Sequence, residues 1–348
     1  MRTSDFDYVL PKGLIGQSPV EPRDNSRLMV INRALGSVKH DYFYGLPFYL
    51  RKGDLLVLND SRVMPARLYG FSTSGSQIEL LLVRRCGVGL WEVLAKPSRR
   101  LRLGTSFFVG PAVDGMNGAL LKGEVLGVRA GGVRLVQFDQ EELLERLGKI
   151  PLPPYIHRIL PDSQRYQTVY ARVTGSVAAP TAGLHFTERL LAELRNIGVR
   201  FAFVTLHIGL DTFRPVYEEI PLDHRVHTEY WELSEEAAGE LNLARKEGRR
   251  IVAIGTTSVR LLEQVALEIH RRSESRVYSG SGYTDLFILP GHEFRMVDAL
   301  VTNFHLPRST LLMLVSAFTG RERILAAYQD AVTIGYSFYS FGDAMLIL

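Results

Sequence analysis

Several features that define other classes of protein are scarce or absent in this sequence of 348 residues. Its one cysteine, Cys86, excludes a disulfide framework and a cysteine-ligated iron–sulfur cluster, and it favours a reducing compartment. The one stretch that suggests a membrane segment, residues 311–318, is far too short to span a bilayer. Residues 1–7 are acidic rather than apolar, so we expect no secretory signal. These absences predict a cytoplasmic protein that does not bind a membrane.

The sequence signatures of many common enzymes are also missing. We find no G-x-G-x-x-G motif after a strand, no P-loop and no G-x-S-x-G motif, so nucleotide-cofactor redox chemistry, NTP hydrolysis and the common hydrolase mechanisms lose support. His224, His227 and Glu229 suggest a zinc site, but they lack the helical histidine pair with a glutamate between, and no cysteine ligands accompany them. We therefore expect no metal.

Composition and charge indicate a soluble protein with one basic region. Hydrophobic residues make up 46% and charged residues 22%, which is typical of globular proteins, and the length suggests roughly two domains. Between Arg84 and Arg134 there are nine basic residues and three acidic ones. This excess fits a phosphate-binding face and fits equally a solvated basic surface, so both interpretations stay open.

Two patterns of secondary structure alternate along the chain. Short β segments separated by glycine predict a small closed antiparallel β-barrel, and prolines at 65, 151, 153 and 154 mark its boundaries. We therefore expect a barrel domain at 65–152, inserted into a discontinuous α/β domain formed by 1–64 and 153–348. The β segments are 77–85, 90–94, 106–109, 120–128 and 132–138.

Strands that feed into helices follow residue 154. Apolar strands at 199–207, 250–254 and 297–303 accompany helices at 187–196, from 258 to about 271, and at 309–320. Near-continuous apolar strands of this kind favour an α/β fold with a mixed, largely parallel sheet.

Polar side chains stand at the end of each of these three strands. The ends read Thr-Leu-His (205–207), Gly-Thr-Thr-Ser (255–258) and Thr-Asn-Phe-His (302–305). In open α/β sheets ligands bind outside the carboxyl ends of the strands, and the helices that follow offer free N–H groups to anions. Gly255 would allow close backbone approach, and Ser258 can serve as an N-cap. The pattern predicts an active site at this edge.

Five of the nine histidines lie in or beside these segments, and histidine is suited to acid–base chemistry at neutral pH. Each one could equally be a hydrogen-bonded structural residue. The five are His185, His207, His224, His227 and His305.

Long motifs throughout the chain resemble the S-adenosylmethionine:tRNA ribosyltransferase-isomerase family of queuosine biosynthesis. The resemblance covers essentially the whole chain, with departures at Leu210-Asp211, Tyr283 and Ser337. The runs that carry it are Asp5–Tyr8 with Leu10-Pro11, NDSRVMPARL (59–68), YQTVY (166–170), GSVAAPTAGLHFT (175–187), TLHIGLDTFRPV (205–216), GTTSVR (255–260), TNFHLPRSTLLMLVSAFTG (302–320) and FGDAML (341–346).

The resemblance implies an enzyme that moves and isomerises the ribosyl part of S-adenosylmethionine. The acceptor would be 7-aminomethyl-7-deazaguanine at the tRNA wobble position, giving epoxyqueuosine with release of adenine and methionine. S-adenosylmethionine would be consumed as a substrate, so no resident cofactor is expected. The partner would be this tRNA, with no membrane, and we expect a monomer although the sequence leaves the oligomeric state open.

Candidate roles follow from that reaction. We expect His185 or His207 to be the base and His305 to be a donor to departing adenine. The remaining candidates are substrate-binding and tRNA-binding residues. For substrate they are Thr256, Thr257 and Ser258 toward the methionine carboxylate, Asp285 and Asp343 toward the ammonium or a ribose hydroxyl, and Thr181, Thr187, Arg214, Arg260 and Asn303; for tRNA phosphates they are Arg84, Arg85, Arg99, Arg100 and Arg102.

Two alternatives belong to other functional classes. A non-catalytic RNA-binding protein would use the barrel as its reader, but it would not need the polar strand ends or the histidines. An S-adenosylmethionine-dependent tRNA methyltransferase is disfavoured by the missing glycine-rich first loop.

Overall fold

The structure is a computed structural model that describes residues 1–110, 121–158, 160–209, 216–226 and 228–348. Over these residues the chain forms two compact units. The first comprises Met1–Arg62, Pro153–Val173 and Ala179–Leu348, and the second comprises Val63–Leu152 and Thr174–Ala178. The predicted inserted domain, 65–152, lies within the second unit.

Strands dominate both units. The strands are β1 (Arg27–Asn32), β2 (Ser37–Tyr42), β3 (Leu55–Asn59), β4 (Ser61–Val63), β5 (Arg67–Ser72), β6 (Gln77–Gly87), β7 (Leu90–Lys96), β8 (Ser106–Val109), β9 (Leu121–Val128), β10 (Val133–Phe138), β11 (Val173–Ser176), β12 (Arg200–Leu206), β13 (Glu229–Leu233), β14 (Ile251–Ile254), β15 (Gly280–Thr284), β16 (Ala299–Asn303) and β17 (Ala344–Ile347). The α-helices are α1 (Leu144–Leu147), α2 (Glu188–Asn196), α3 (Glu235–Lys246), α4 (Thr256–Arg271), α5 (Thr310–Thr319) and α6 (Arg321–Thr333).

The first unit is built on a nine-stranded mixed sheet with the order β15-β13-β12-β3-β14-β16-β17-β1-β2. Its four central strands, β12, β3, β14 and β16, run parallel, and their carboxyl ends therefore lie at one edge. Strand β17 joins antiparallel to β16 and parallel to β1. Every residue of β3, β14 and β16 is buried, as the near-continuous apolar runs predict. The predicted fold class is confirmed.

Three helices of this unit, α2, α3 and α5, begin after a residue whose side chain caps the helix. The hydroxyl of Thr187 accepts a hydrogen bond from the Leu190 amide at 3.1 Å, and α2 buries its apolar face in the core. Ser309 caps α5 in the same way. No helix in the described part of the chain combines the length and apolarity needed to cross a membrane.

A buried carboxylate on α4 fixes the segment that leads into β16. Glu263 is fully buried, and its two oxygens accept hydrogen bonds from the amides of Arg295, Met296 and Val297 at 2.9, 3.0 and 3.2 Å. Hydrogen bonds to an ionised group offset part of the desolvation that burial imposes on it. Glu263 thereby connects α4 to the segment before β16, and both elements reach the strand-end edge.

The second unit contains a closed six-stranded barrel with the order β10-β7-β6-β5-β8-β9, all of whose pairings are antiparallel. Burial alternates along β9 and β10, as a period of two residues requires when one face points inward. Phe107 and Phe138 meet edge to face in its interior. The predicted antiparallel barrel is confirmed.

Candidate active site at the carboxyl ends of the central strands

Asn59, the last residue of β3, hydrogen-bonds to the end of β12 and to the start of α4 in the first unit. Its side-chain amide donates to the Leu206 carbonyl at 2.9 Å and to the Thr257 hydroxyl at 3.3 Å. Its oxygen accepts from the Leu206 amide at 3.1 Å. One buried side chain therefore links β3, β12 and the first turn of α4, and it holds them in register at the edge where the sequence predicts a site.

His185 is buried in a short 3₁₀ turn, Thr181–His185, behind this edge. Its Nδ1 lies 2.7 Å from the hydroxyl of Ser26, and its Nε2 lies 3.0 Å from the side-chain nitrogen of Asn303. The ring of Phe43 stacks on it with centroids 5.0 Å apart. Both ring nitrogens of His185 are thus engaged by protein groups.

The orientation of Asn303 determines the tautomer of His185. The Asn303 oxygen accepts from the Thr181 hydroxyl at 3.0 Å, and its nitrogen also donates to the Tyr339 carbonyl at 3.1 Å. Because the nitrogen is the donor, Nε2 of His185 accepts and its proton lies on Nδ1, directed at Ser26. Burial, with a smaller contribution from Arg23, lowers the pKa of His185 to about 4, so the ring is neutral.

His305 is held at three points at the end of β16. Its Nε2 lies 3.0 Å from the Thr302 hydroxyl, its amide donates to the Tyr328 hydroxyl at 2.9 Å, and its carbonyl accepts from the Tyr8 hydroxyl at 2.5 Å. Burial lowers the pKa of His305 to about 3, which keeps the ring neutral.

A small cavity of about 30 Å³ lies against His305. It is large enough for a water molecule but not for a nucleoside. Thr181 and Asn303 also line this cavity, so the side chain that hydrogen-bonds to His185 borders the same space as His305. Its further lining residues are Tyr155, Phe304, Leu306, Ser309, Leu311, Tyr339 and Ser340.

His207 differs from His185 because one of its ring nitrogens has no partner among the described residues. It follows β12 directly, is partly buried, and stacks on Tyr230 with centroids 5.8 Å apart. Within the described residues its buried Nδ1 makes no hydrogen bond. Burial lowers the pKa of His207, while the charges of Asp60 and Glu232 oppose the shift. A neutral imidazole with an unpaired nitrogen is the form that accepts a proton.

Asp60 supplies a buried negative charge near His207. One of its oxygens accepts from the Thr205 hydroxyl at 2.7 Å, and the other accepts from the guanidinium of Arg172, also at 2.7 Å. Its side chain is 2% exposed, whereas that of Arg172 is 68% exposed, so the ion pair has one buried and one solvated partner. The carboxylate would stabilise a proton taken up by His207.

The first turn of α4 faces the same edge. Gly255 adopts φ +88° and ψ 153°, a conformation open essentially to glycine alone, and it is the residue that precedes the helix. Ser258 does not serve as the N-cap that the sequence allowed, because the helix already begins at Thr256 and the Ser258 hydroxyl donates back to the Ile254 carbonyl at 2.8 Å. Thr256 and Thr257 are buried in the first turn, whose N–H groups have no partners within the helix.

The remaining predicted substrate residues make contacts elsewhere in the first unit. Thr187, besides capping α2, donates to Asp24 at 2.8 Å. Arg260 forms a buried ion pair with Glu229. Asp285 is exposed.

Asp343 is occupied by neighbouring backbone and by one arginine. It accepts from the amides of Arg27 at 2.7 Å and Ser337 at 2.8 Å, and it pairs with the Arg27 guanidinium at 3.2 Å. Burial raises the pKa of Asp343, and these contacts act against the shift. Ser337, one of the positions where the sequence departs from the family pattern, therefore contacts Asp343 through its backbone amide.

Some predicted positions lie outside the described residues, namely Arg214, His227 and the Leu210-Asp211 departure. Tyr283, the third departure, is exposed on β15 and meets Tyr230 edge to face. His224 pairs with Glu218 at 2.8 Å. In the part of the chain that the structure describes, no three His, Cys, Asp or Glu side chains gather as metal ligands would.

Sequence reasoning missed several polar residues of this edge. Asn59 and Asp60 fall in the quoted run 59–68, and Tyr8 falls in the run 5–8, so motif position was the only signal for them. Ser26 gave no signal, because it meets His185 from 159 residues away in the chain.

The predicted tRNA-binding arginines of the second unit divide into two groups. Arg84 pairs with Glu92 at 2.8 Å, and Arg85 makes two hydrogen bonds of 2.7 Å to Glu141. Arg99, Arg100 and Arg102 are exposed, and among the described residues none has an acidic partner. Only the second group keeps its full charge available to a polyanion.

Comparison with known proteins decides the family. A family model described as a queuosine biosynthesis protein matches residues 3–347. The chain belongs to this family. A relative from Symbiobacterium thermophilum is 55% identical over 353 residues, and one from Carboxydothermus hydrogenoformans is 52% identical over 352; each alignment covers 100% of both chains. Both relatives are named S-adenosylmethionine:tRNA ribosyltransferase-isomerase.

A solved member of the family shares the fold. The crystal structure of S-adenosylmethionine tRNA ribosyltransferase from Thermotoga maritima is 39% identical to this chain, with a TM-score of 0.57. The alignment covers 99% of this chain and 100% of the other. The architecture described above is therefore that of a family member over its full length.

Proposed function

We propose that this chain transfers and isomerises the ribosyl group of S-adenosylmethionine onto 7-aminomethyl-7-deazaguanine at the wobble position of tRNA. The products are epoxyqueuosine-tRNA, adenine and methionine. The observation that carries the proposal is the identity of 52–55% over the whole length of relatives named for this reaction. The polar strand-end edge supplies groups suited to the chemistry.

The first step is removal of a proton from ribose C5′, which the adjacent sulfonium acidifies. His207 is the base, because its side chain is only partly buried at the strand-end edge and the charge of Asp60 stabilises the proton it gains. Of the two histidines proposed for this step, His185 has both nitrogens engaged. His185 instead holds Ser26 and Asn303 in place.

The carbanion then drives the loss of adenine, which requires a donor to a ring nitrogen of the base. His305 supplies it. In the tautomer that accepts from the Thr302 hydroxyl at Nε2, the neutral ring carries its proton on Nδ1, which is then the nitrogen that donates to adenine. The amine of the tRNA base attacks the unsaturated sugar, and closure of the epoxide expels methionine.

The methionine carboxylate binds at the first turn of α4. The N-terminus of a 16-residue helix carries partial positive charge and unpaired N–H groups, and this first turn contains no acidic residue. Thr256 and Thr257 add hydroxyls at the same place.

Substrates and setting follow from the reaction. S-adenosylmethionine is consumed, so the enzyme needs no resident cofactor. The tRNA is held in part by Arg99, Arg100 and Arg102, the exposed arginines of the second unit. We place the enzyme in the cytoplasm, where its tRNA is, and we expect a monomer.

One assay separates this function from its alternatives. The purified protein is incubated with S-adenosylmethionine and tRNA carrying the deazaguanine base. Free adenine and methionine support the proposal, S-adenosylhomocysteine would indicate a methyltransferase, and binding without turnover would indicate an RNA-binding protein.

Alanine variants test the base. The His207→Ala variant should lose adenine release by about a hundredfold or more, in line with general-base catalysis. A near-normal rate in His207→Ala would exclude the base assignment, whatever the rate of His185→Ala.

A further inference from the structure

We infer that Tyr8 is a positioning residue for the reaction, and that it acts by fixing the backbone of His305 at the site edge. The inference rests on the proposed function, because it assumes that His305 takes part in turnover. Tyr8 lies almost 300 residues before His305 in the chain and would not itself touch the reacting atoms.

Two tyrosines hydrogen-bond to the backbone of His305, one at its carbonyl and one at its amide. Tyr8 donates to its carbonyl at 2.5 Å, and Tyr328 accepts from its amide at 2.9 Å. The two tyrosine rings pack edge to face, with centroids 5.1 Å apart. Burial raises the pKa of both hydroxyls, which keeps them protonated. The Thr302 hydroxyl contacts Nε2 of His305. Among the polar atoms of His305, only Nδ1 is then left for a ligand.

The segment that carries Tyr8 also holds the rest of the loop after β16. Arg308 has φ +56°, in the left-handed region that non-glycine residues rarely adopt. Its amide donates to the Phe6 carbonyl at 2.9 Å, and its guanidinium pairs with Asp7. Asp7 and Tyr8 therefore fix both ends of the stretch from His305 to Arg308.

The same segment reaches the loop that follows β12. The amide of Thr3 donates to the Glu219 carbonyl at 2.8 Å, and the amide of Val216 donates to the Arg308 carbonyl at 2.9 Å. The loop that carries His305 is therefore held both by the N-terminal residues and by the described chain around Val216.

The Tyr8→Phe variant removes only the hydroxyl, so it tests the positioning role directly. We expect kcat for adenine release to fall about tenfold or more, because small displacements of a reacting group are costly, with KM for S-adenosylmethionine within a factor of about two of wild type. Tyr49→Phe is the matched control, since it also removes a hydroxyl hydrogen bond, of 2.7 Å to Asp41, and should leave kcat unchanged.

A double-variant cycle separates positioning from loss of stability. In a His305→Ala background, Tyr8→Phe should reduce kcat no further, because the group it positions is gone. An equal loss in both backgrounds, or a Tyr8→Phe rate within a factor of two of wild type, would overturn the inference. If the wild-type enzyme releases no adenine, the proposed function fails instead, and this outcome is distinct from an unaffected variant.

Discussion

Two buried neutral histidines should make the fold sensitive to acid. The pKa of His185 is lowered to about 4 and that of His305 to about 3, against about 6.5 in an unfolded chain. Below pH 6.5 these two histidines therefore bind protons in the unfolded chain but not in the folded chain. The free energy of unfolding falls as the pH falls. Above pH 6.5 both states are neutral, and neither histidine changes the stability.

The size of the effect follows from linkage. Each histidine removes about 1.4 kcal/mol per pH unit below 6.5, hence about 3 kcal/mol each by pH 4. Together they remove about 6 kcal/mol by pH 4, which is comparable with the whole stability of a typical protein. His185 stops contributing near pH 4, and His305 continues to about pH 3.

Urea unfolding of matched variants isolates this effect from other titrating groups. His305→Gln keeps a polar group near Thr302 but cannot titrate, so wild type should lose about 2 kcal/mol more than the variant between pH 7.5 and pH 5. His157→Gln, at an exposed position, is the control and should follow wild type. If the difference in free energy of unfolding between wild type and His305→Gln stays constant within about 0.5 kcal/mol over this pH range, the conclusion that His305 is buried and neutral is refuted.

Three further outcomes are expected. Glu263→Ala should destabilise the protein by about 3 kcal/mol or more in urea unfolding, because it leaves three backbone amides without their hydrogen-bond acceptor. A loss below 1 kcal/mol would contradict this. Gly255→Ala should cost about 1–3 kcal/mol and reduce turnover, since φ +88° disfavours a Cβ, and unchanged stability would show that the backbone adapts. Replacing Arg99, Arg100 and Arg102 with glutamate should weaken tRNA binding and flatten its salt dependence in a salt titration; unchanged affinity would leave a merely solvated surface.

The secondary structure was predictable where local pattern determines it. The apolar runs of β12, β14 and β16 and the caps of α2 and α5 are local signals, and the structure places these elements within about two residues of the prediction. The start of α4 was not predictable in detail. Gly-Thr-Thr-Ser offers several possible first residues, and only the backbone angle of Gly255 makes Thr256 the first.

The site was predictable as an edge but not as a set of contacts. Parallel strands bring their carboxyl ends together, so the neighbourhood of His207, Thr257 and Asn303 followed from the fold class. The partners of His185 and His305 did not, because Ser26 and Tyr8 approach from distant parts of the chain. Which histidine has a free nitrogen depends on those long-range contacts.

The most direct test of the account follows two labels on S-adenosylmethionine, one in the ribose and one in the methyl group. The account predicts that the ribose label enters tRNA bearing the deazaguanine base, while the methyl label is released as methionine together with one equivalent of adenine. Methyl label in the tRNA and ribose label in S-adenosylhomocysteine would contradict it, as would the absence of both labels from the tRNA.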